Sequence, residues 1–294
     1  MEDYLVKSIA GNDMFRAYAV NATGVVAEAQ QRHDTWSAAS AALGRSLVGT
    51  LLLASAGLKG DETMTVKING NGPVGGIVID GNANGTVKGY LQHPHVHLPL
   101  NAQHKIDVKA AVGSTGFLAI TKSQGVGDPF TGQVPLVSGE LGEDFTYYLA
   151  QSEQIPSAVG LSVFVNEDNT IEVAGGFLVQ VLPGATDEAI SDLERKLKEL
   201  PLVSQLLRTG KTPQDILKAL FDDVKVLDQM PVKFACDCSK ERFGESLMAL
   251  PKHEVQAMID EDHGAEAVCH FCGNQYHFTE AELQTVLSRS HGQA

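Results

Sequence analysis

Short segments of apolar and β-branched residues, separated by turn residues, dominate the first 180 positions of the chain. Eight such segments predict strands, and they lie at residues 4–10, 14–20, 63–68, 75–80, 85–91, 117–122, 161–166 and 171–182. Asn-Gly and Gly-Asn pairs at 69–72, 81–82 and 84–85 predict tight hairpins, because both residue types tolerate a positive φ. Consecutive strands joined by tight turns pair antiparallel, so this pattern predicts antiparallel sheets.

Two stretches among these strands have the pattern of helices. Residues 34–58 are rich in alanine and leucine, and Asp34 is the expected N-cap. The apolar part of this stretch is too short to span a bilayer and contains glycine, so we expect a buried helix. A second helix is predicted over residues 140–151. Residues 1–180 are therefore predicted to form one N-terminal mixed α/β domain.

Residues 181–232 have a different character, with short amphipathic helices separated by proline and glycine. Helical periodicity places four apolar residues on one face of the first helix: Ile190, Leu193, Leu197 and Leu200. A short apolar helix should follow up to Gly210, and the capping box Thr212-Pro213-Gln214-Asp215 should start another. Helices this short are marginal alone and need a surface to dock on. The segment is either an ordinary helical subdomain or a helical linker that can undock.

Composition and charge exclude several partners. The hydrophobic fraction of 43% and the charged fraction of 20% are ordinary for a globular protein, and the net charge is −14. Residues 236–294 carry 10 acidic and 4 basic side chains, which argues against binding to nucleic acid. The first residues, MEDYLVKSIAGND, lack the long apolar core of a signal peptide. We therefore expect a cytoplasmic protein with no membrane partner, whose thiols stay reduced.

All four cysteines lie near the C-terminus, in two close pairs. Cys236 and Cys238 form a Cys-x-Cys pair, and Cys269 and Cys272 form a Cys-x-x-Cys pair. Two pairs far apart in sequence suit one tetrahedral ion, and zinc is the usual structural ion in such sites. The sequence therefore predicts that residues 233–294 form a C-terminal zinc-binding domain, with one zinc ion held by four thiolates.

Histidines near these cysteines are not expected to be ligands. Four cysteines fill the coordination shell, so His263, His270 and His277 should lie on the surface or beside the ligands, and hydrolytic zinc catalysis is not expected. A thioredoxin-like activity is also disfavoured, because a turn and a strand are predicted after Cys272 rather than a helix.

A second histidine group lies in the N-terminal domain. His93, His95 and His97 alternate, so an extended segment would place all three on one face, where they could bind a metal. Pro94 and Pro99 favour a solvated edge instead, and no acidic base lies within the run. We therefore do not expect an enzyme.

The energy of metal binding suggests a switch. Residues 236–294 contain few large apolar side chains, whereas zinc contributes about 10–16 kcal/mol in comparable peptides. Metal loss should therefore unfold this segment. Peroxide converts a thiolate to a sulfenic acid, and the nearest thiol then closes a disulfide. Proximity predicts the disulfides Cys236–Cys238 and Cys269–Cys272, with release of the zinc. The alternative is a constitutive zinc-ribbon adaptor, which would keep its metal under mild oxidant.

Four segments of the chain resemble a known family. FACDCSKERF at 234–243 and CHFCGNQYHF at 269–278 resemble the zinc module of the heat-shock protein 33 family, which are redox-regulated holdase chaperones. YYLAQSEQIPSAVGL at 147–161 and GGFLVQVLPGA at 175–185 resemble the preceding domain of the same family. The resemblance covers nearly the whole chain in order, with no departure at the four cysteines.

This resemblance implies an α+β fold with an N-terminal domain, a helical linker and a zinc domain. It also implies that the reduced, zinc-bound protein is an inactive monomer. Oxidation would release zinc, unfold the zinc domain and the linker, and produce a dimer that holds unfolding client proteins without ATP. By this resemblance the four cysteines are both ligands and redox switch. The helices at 187–221 are the linker, whose apolar face is covered until the zinc domain unfolds.

Overall fold

The structure, a computed structural model, describes residues 2–125 and 127–289 and divides the chain after Ala235 into two units. The strands of the first unit are β1 (Tyr4–Ala10), β2 (Phe15–Asn21), β3 (Thr63–Asn69), β4 (Ile77–Asn82), β5 (Thr86–Leu91), β6 (Phe117–Ser123), β7 (Phe130–Pro135), β8 (Ser157–Val165), β9 (Ile171–Val181), β10 (Lys225–Pro231) and β11 (Lys233–Phe234). Its helices are α1 (Thr23–His33), α2 (Ser37–Gly57), α3 (Val108–Val112), α4 (Gly142–Gln151), α5 (Asp187–Glu199), α6 (Val203–Arg208) and α7 (Pro213–Leu220). All eight predicted strands are present, which confirms the mixed fold, whereas β7, β10 and β11 were not predicted.

Two sheets frame the first unit. One has the strand order β10-β1-β2-β9-β8, and the other has the order β11-β5-β4-β3-β6-β7. Neighbouring strands pair antiparallel except β11, which runs parallel to β5. The predicted antiparallel sheets are therefore confirmed.

The helix α2 forms the centre of the main core of this unit. It packs against strands of both sheets and is buried on nearly all sides. It is also the one helix among the described residues that is long and apolar enough to cross a membrane, but 89% of its apolar window is buried inside the unit. A helix that is apolar all round belongs in a core. The predicted buried helix is confirmed.

The second face of the five-stranded sheet carries the helices predicted as a linker. Because side chains alternate along a strand, Val6, Ala17 and Val179 point away from α2 and form a second apolar cluster with α5, α6 and α7. Leu193 is buried in this cluster, whereas Ile190, Leu197 and Leu200 are half-buried against it. Residues 181–232 therefore belong to the first unit, and their helices pack on its five-stranded sheet through an apolar face.

The predicted N-cap of the long helix is wrong. Asp34 has φ +48° and ends α1, a helix that the sequence analysis missed, and α2 begins three residues later. No side chain caps α2; instead the backbone N–H of Trp36 donates to the Pro94 carbonyl, and that of Ala38 to the Val96 carbonyl. The histidine-rich segment thus satisfies the N–H groups that Asp34 was expected to cap.

The two Asn-Gly pairs at 69–72 do not form the predicted tight hairpin. The chain makes a wide loop between β3 and β4, and a Cβ atom at Gly70 would lie 2.4 Å from the Gly113 carbonyl oxygen. Glycine is needed there because two backbones meet closely. At 84–85 the predicted turn is confirmed, because it joins β4 to β5 and Gly85 has φ +76°.

A buried carboxylate organises the loop before α4. Asp144 is fully buried and accepts hydrogen bonds from the backbone N–H groups of Val137 (2.7 Å), Ser138 (3.1 Å), Gly139 (3.0 Å) and Leu141 (3.0 Å). Buried backbone N–H groups need acceptors. The helix α4 confirms the helix predicted over residues 140–151. The Asp144 carboxylate in its first turn holds the preceding loop in place.

We expect Asp144→Ala to lower the free energy of unfolding of the first unit by at least about 3 kcal/mol, because several buried N–H groups lose their acceptor. Urea unfolding monitored by circular dichroism measures this change. Glu143→Ala is the matched control, because Glu143 is exposed in the same helical turn. Equal stability of the two variants would contradict this role of Asp144.

The second unit is small. It contains α8 (Lys240–Leu247), α9 (Lys252–Asp260), β12 (Gly264–Val268), β13 (Gln275–Thr279) and α10 (Glu280–Arg289), and β12 pairs antiparallel with β13. Its buried apolar core consists of Val255, Ile259, Phe278, Leu283 and Val286. A core of this size gives little stability by itself, so this unit needs an additional cross-link.

Candidate metal centre

The four cysteines meet at one point of the second unit. Their Sγ atoms all lie within 4.8 Å of one another, with Cys236 and Cys269 3.8 Å apart and Cys238 and Cys272 3.3 Å apart. A tetrahedral ion with metal–sulfur bonds of about 2.3 Å holds its sulfurs about 3.8 Å apart. The spacing therefore fits one thiolate-bound ion. No other group of three or more metal-ligating side chains occurs in residues 2–125 and 127–289.

The two cysteine pairs lie in different local structures, one in a turn and the other in the irregular segment between β11 and α8. Cys269 and Cys272 lie between β12 and β13, where the N–H of Gly273 donates to the Cys269 carbonyl over 2.7 Å and Gly273 has φ +74°. The turn and strand expected after Cys272 are thus confirmed. Cys238 immediately precedes Ser239, whose hydroxyl accepts from the N–H of Arg242 and caps α8.

Two of the thiols, those of Cys238 and Cys272, have pKa values shifted in opposite directions. Burial acts to raise the pKa of Cys238, but its hydrogen-bond contacts with the Tyr276 hydroxyl and with the neighbouring thiols outweigh it and lower this pKa to about 7. Burial raises the pKa of Cys272. Such divergence is expected when close thiols share protons. A divalent cation would favour the thiolate form of all four, so this set of donors suits zinc.

Tyr276 is a functional residue that the sequence analysis missed. Its hydroxyl donates to the Cys238 carbonyl over 3.0 Å and lies 3.2 Å from the Cys238 Sγ. Its ring lies 5.2 Å from that of Phe243 on α8. A tyrosine at an alternating strand position carries no distinctive pattern, and only its position four residues after Cys272 could have suggested the contact. From β13, Tyr276 thus contacts the irregular segment that carries Cys236 and Cys238.

We expect Tyr276→Phe to weaken zinc binding by about 10-fold while the second unit stays folded, since outer contacts of metal ligands typically contribute 10–100-fold. Competition with a chromogenic chelator measures the affinity. Tyr90→Phe, at a half-buried tyrosine in the first unit, is the control. An unchanged affinity in Tyr276→Phe would contradict a role of this contact in zinc binding.

An ion pair links α8 to α10 beside this cluster. Lys240 Nζ lies 2.6 Å from Glu282 Oε1, and the hydrogen bond from Lys240, followed by those from Thr279, lowers the pKa of Glu282 to about 2. This ion pair connects the first residue of α8 to α10. It therefore holds α8, which follows the Cys-x-Cys pair, against the rest of the second unit.

The nearby histidines lie outside the cysteine cluster. His263 pairs with Glu280 at 2.9 Å, and His277 pairs with Glu266 at 3.3 Å. His270 is exposed. None of these three histidines is part of the candidate metal-binding group, which consists of the four cysteines.

The second histidine group does not converge on a metal in the described residues. His95 Nε2 lies 3.0 Å from Asp34, and the His95 ring lies 5.2 Å from that of Trp36. His97 Nδ1 lies 2.7 Å from the Ser37 hydroxyl. These contacts fasten the segment that caps α2, so the histidines act in packing at a partly solvated edge.

Comparisons with known proteins agree with this arrangement. The family model described as Hsp33 protein matches residues 3–279. The 33 kDa chaperonin of Lactiplantibacillus plantarum is 84% identical over 295 residues, covering 100% of both chains, and that of Listeria monocytogenes is 55% identical over 294 residues, covering 99% of this chain and 100% of the relative. The crystal structure of the Thermotoga maritima 33 kDa chaperonin, a heat shock protein 33 homologue, superposes with a TM-score of 0.92 at 36% identity, covering 98% of this chain and 99% of that chain.

The α+β fold, the four-thiol cluster and these matches define a molecular chaperone with clustered cysteines suited to zinc and to redox chemistry. The chain belongs to the Hsp33 family. The resemblance recognised in the sequence is thereby confirmed. The family is one of chaperones that bind client proteins, and not a known class of enzyme.

Proposed function

We propose that this protein is a redox-gated, ATP-independent holdase of the cytoplasm. In the reduced state Cys236, Cys238, Cys269 and Cys272 would hold one zinc ion, which supplies the cohesion of the second unit. The observation that carries this proposal is the convergence of four thiols in a unit whose apolar core, among the described residues, has five buried side chains. Removing the ion would leave a core too small to stay folded.

Oxidation would remove the ion by consuming its ligands. Each disulfide forms when two thiolates give two electrons to one peroxide molecule, which takes up protons and leaves as water. In the folded state the Cys236 sulfur lies near that of Cys269, and the Cys238 sulfur lies near that of Cys272. Once the unit loosens, sequence proximity governs the pairing, so we propose Cys236–Cys238 and Cys269–Cys272 as the final disulfides.

The linker over residues 181–232 would respond to zinc loss because its helices bury different numbers of side chains. In α5 only Leu193 is buried, whereas α7 buries Pro213, Ile216, Leu217 and Leu220. A helix with one buried side chain gains little from its packing. We infer that α5 undocks first, and that its apolar face and the sheet beneath it then become available to unfolding clients and to a second copy of the chain.

A client assay tests this proposal. The protein, either reduced or treated with peroxide at elevated temperature, is added without ATP to a heat-denaturing enzyme while light scattering is recorded. We expect only the oxidised sample to suppress aggregation, to run as a dimer in size-exclusion chromatography, and to lose its activity after reduction with dithiothreitol and added zinc. A constitutive zinc-ribbon adaptor predicts equal behaviour of both samples, which would contradict the proposal.

A further inference from the structure

A cleft of about 930 Å³ opens in the first unit, far in sequence from the cysteines. Its walls are the start of α2, the loop at residues 97–106, the end of β8 and the helix α6. Sites for small molecules typically measure about 300–1,000 Å³ and combine apolar walls with a few polar groups. The cleft has the size and the position of a ligand site.

The rim of the cleft exposes large apolar side chains. Trp36, Leu100 and Leu202 are 47%, 57% and 42% exposed and come from three different walls. Single exposed apolar residues are common, whereas three that converge on one concave surface mark a binding site. A ligand that fills the cleft must therefore offer an extended apolar surface.

Cationic side chains outnumber acidic ones on the same walls. Arg45, Lys105 and Arg208 line the cleft, and Glu167 is the acidic side chain that lines it among the described residues. A cation on these walls that no carboxylate neutralises would favour an anionic ligand.

Part of this positive charge is already engaged. Arg45 Nη1 lies 2.8 Å from Glu140 Oε2, and Arg208 Nε lies 2.9 Å from Glu172 Oε1. Arg45 Nε is buried and has no acceptor among the described residues. Lys105 is exposed and has no carboxylate partner in the part of the chain that the structure describes. Lys105 is thus the cation that a ligand carboxylate can pair with.

We propose that this cleft binds a long-chain carboxylate, with the alkyl chain against Trp36, Leu100 and Leu202 and the carboxylate facing Lys105. The apolar walls favour a ligand with an alkyl chain, and Lys105 favours a ligand with a negative head group. A short carboxylate satisfies only the lysine, and a neutral amphiphile satisfies only the apolar walls.

Such a ligand would also hold α6 in place. The hydroxyls of Ser162 on β8 and Ser204 on α6 lie 2.8 Å apart and are buried, and the Arg208 guanidinium lies 4.1 Å from the Phe164 ring centroid. A molecule in the cleft contacts β8 and α6 together, so it binds only while α6 is docked. Given the proposed function, the ligand would therefore raise the oxidant dose needed to free the linker.

Trp36 allows a direct test, because it is the only tryptophan in the chain. Dodecanoate, kept below its critical micelle concentration, is titrated into the full-length reduced protein with zinc while tryptophan emission is recorded. We expect a saturable change with one site per chain, and no such change with acetate. Neither oxidant nor client is present, so failure of this test is separate from failure of the proposed function.

Two charge reversals identify the carboxylate contact. We expect Lys105→Glu to weaken dodecanoate binding by at least about tenfold, because a paired cation becomes a repelling anion. Lys67→Glu is the matched control, because Lys67 is exposed on β3 and does not line the cleft, and it should keep the original affinity. Equal affinities in the two variants would overturn the proposal.

Two further outcomes would also overturn it, and a third would refute its link to α6. Dodecyl maltoside binding as tightly as dodecanoate would show an apolar groove without anion recognition. A change in Trp36 emission with protein concentration alone would show that a second copy fills the cleft. Bound dodecanoate that leaves hydrogen exchange in α6 unchanged would refute the link to α6, whereas we expect slower exchange at residues 203–208.

Discussion

Cys238→Ser is expected to weaken zinc binding by more than about 100-fold, because the loss of a ligand should exceed the 10–100-fold effect of contacts outside the ligand shell. The same change removes the sulfur that Tyr276 contacts at 3.2 Å. Since zinc binding is worth about 10–16 kcal/mol in comparable peptides, the second unit should then unfold. Zinc content measures the first effect, and hydrogen exchange over residues 236–289 measures the second.

His277→Ser is the matched control for this variant. His277 lies in the same unit and pairs with Glu266 rather than with the cysteines, so zinc should be retained. Exchange in residues 2–125 and 127–180 should stay slow in both variants, because most of the main core lies there, whereas zinc loss in Cys238→Ser should speed exchange in α5. A Cys238→Ser protein with one tightly bound zinc per chain and a folded second unit would refute the metal centre.

The second large effect is expected in the linker. Leu193→Asn with Leu197→Asn should free α5 in the reduced protein and produce holdase activity without oxidant. Leu193 is the one buried side chain of α5, and losing a buried leucine costs about 2–5 kcal/mol, which exceeds what so short a helix gains by docking. Suppression of aggregation by the reduced variant measures the effect, and its zinc content shows whether the second unit is intact.

Glu194→Asn with Lys198→Asn provides the control, because it places the same residues on the exposed face of α5. That protein should remain inactive until it is oxidised. If the Leu193 and Leu197 variant keeps its zinc and stays as inert toward clients as the control, undocking of α5 is not the step that exposes the client surface.

Elements whose signal is local were predictable from the sequence. The alternation of the central strands depends only on neighbouring positions, as does the capping box of α7, where Thr212 Oγ1 accepts from the N–H of Asp215. The convergence of two cysteine pairs was predictable for a different reason: sulfur ligands at such spacing have few other uses. Both the fold class and the cluster of four thiols could therefore be predicted.

Features set by tertiary contacts were not predictable. Asp34 has a good capping side chain, yet α2 takes its hydrogen-bond acceptors from Pro94 and Val96, some sixty residues away. The strand β10 is an exposed sheet edge with little apolar alternation, so it lacks the pattern of a buried strand. Asp144 and Tyr276 contact backbone groups of loop segments. The positions of these segments depend on the folded chain, so the contacts could not be predicted from the sequence.

The central claim is that loss of zinc and exposure of the client-binding surface are one event. It is tested most directly by titrating peroxide at elevated temperature into one sample that contains the protein, a heat-denaturing enzyme and a chromogenic zinc chelator. We expect zinc release and protection from aggregation to rise together over the same range of oxidant. Full protection while zinc remains bound, or full zinc release without protection, would contradict the account.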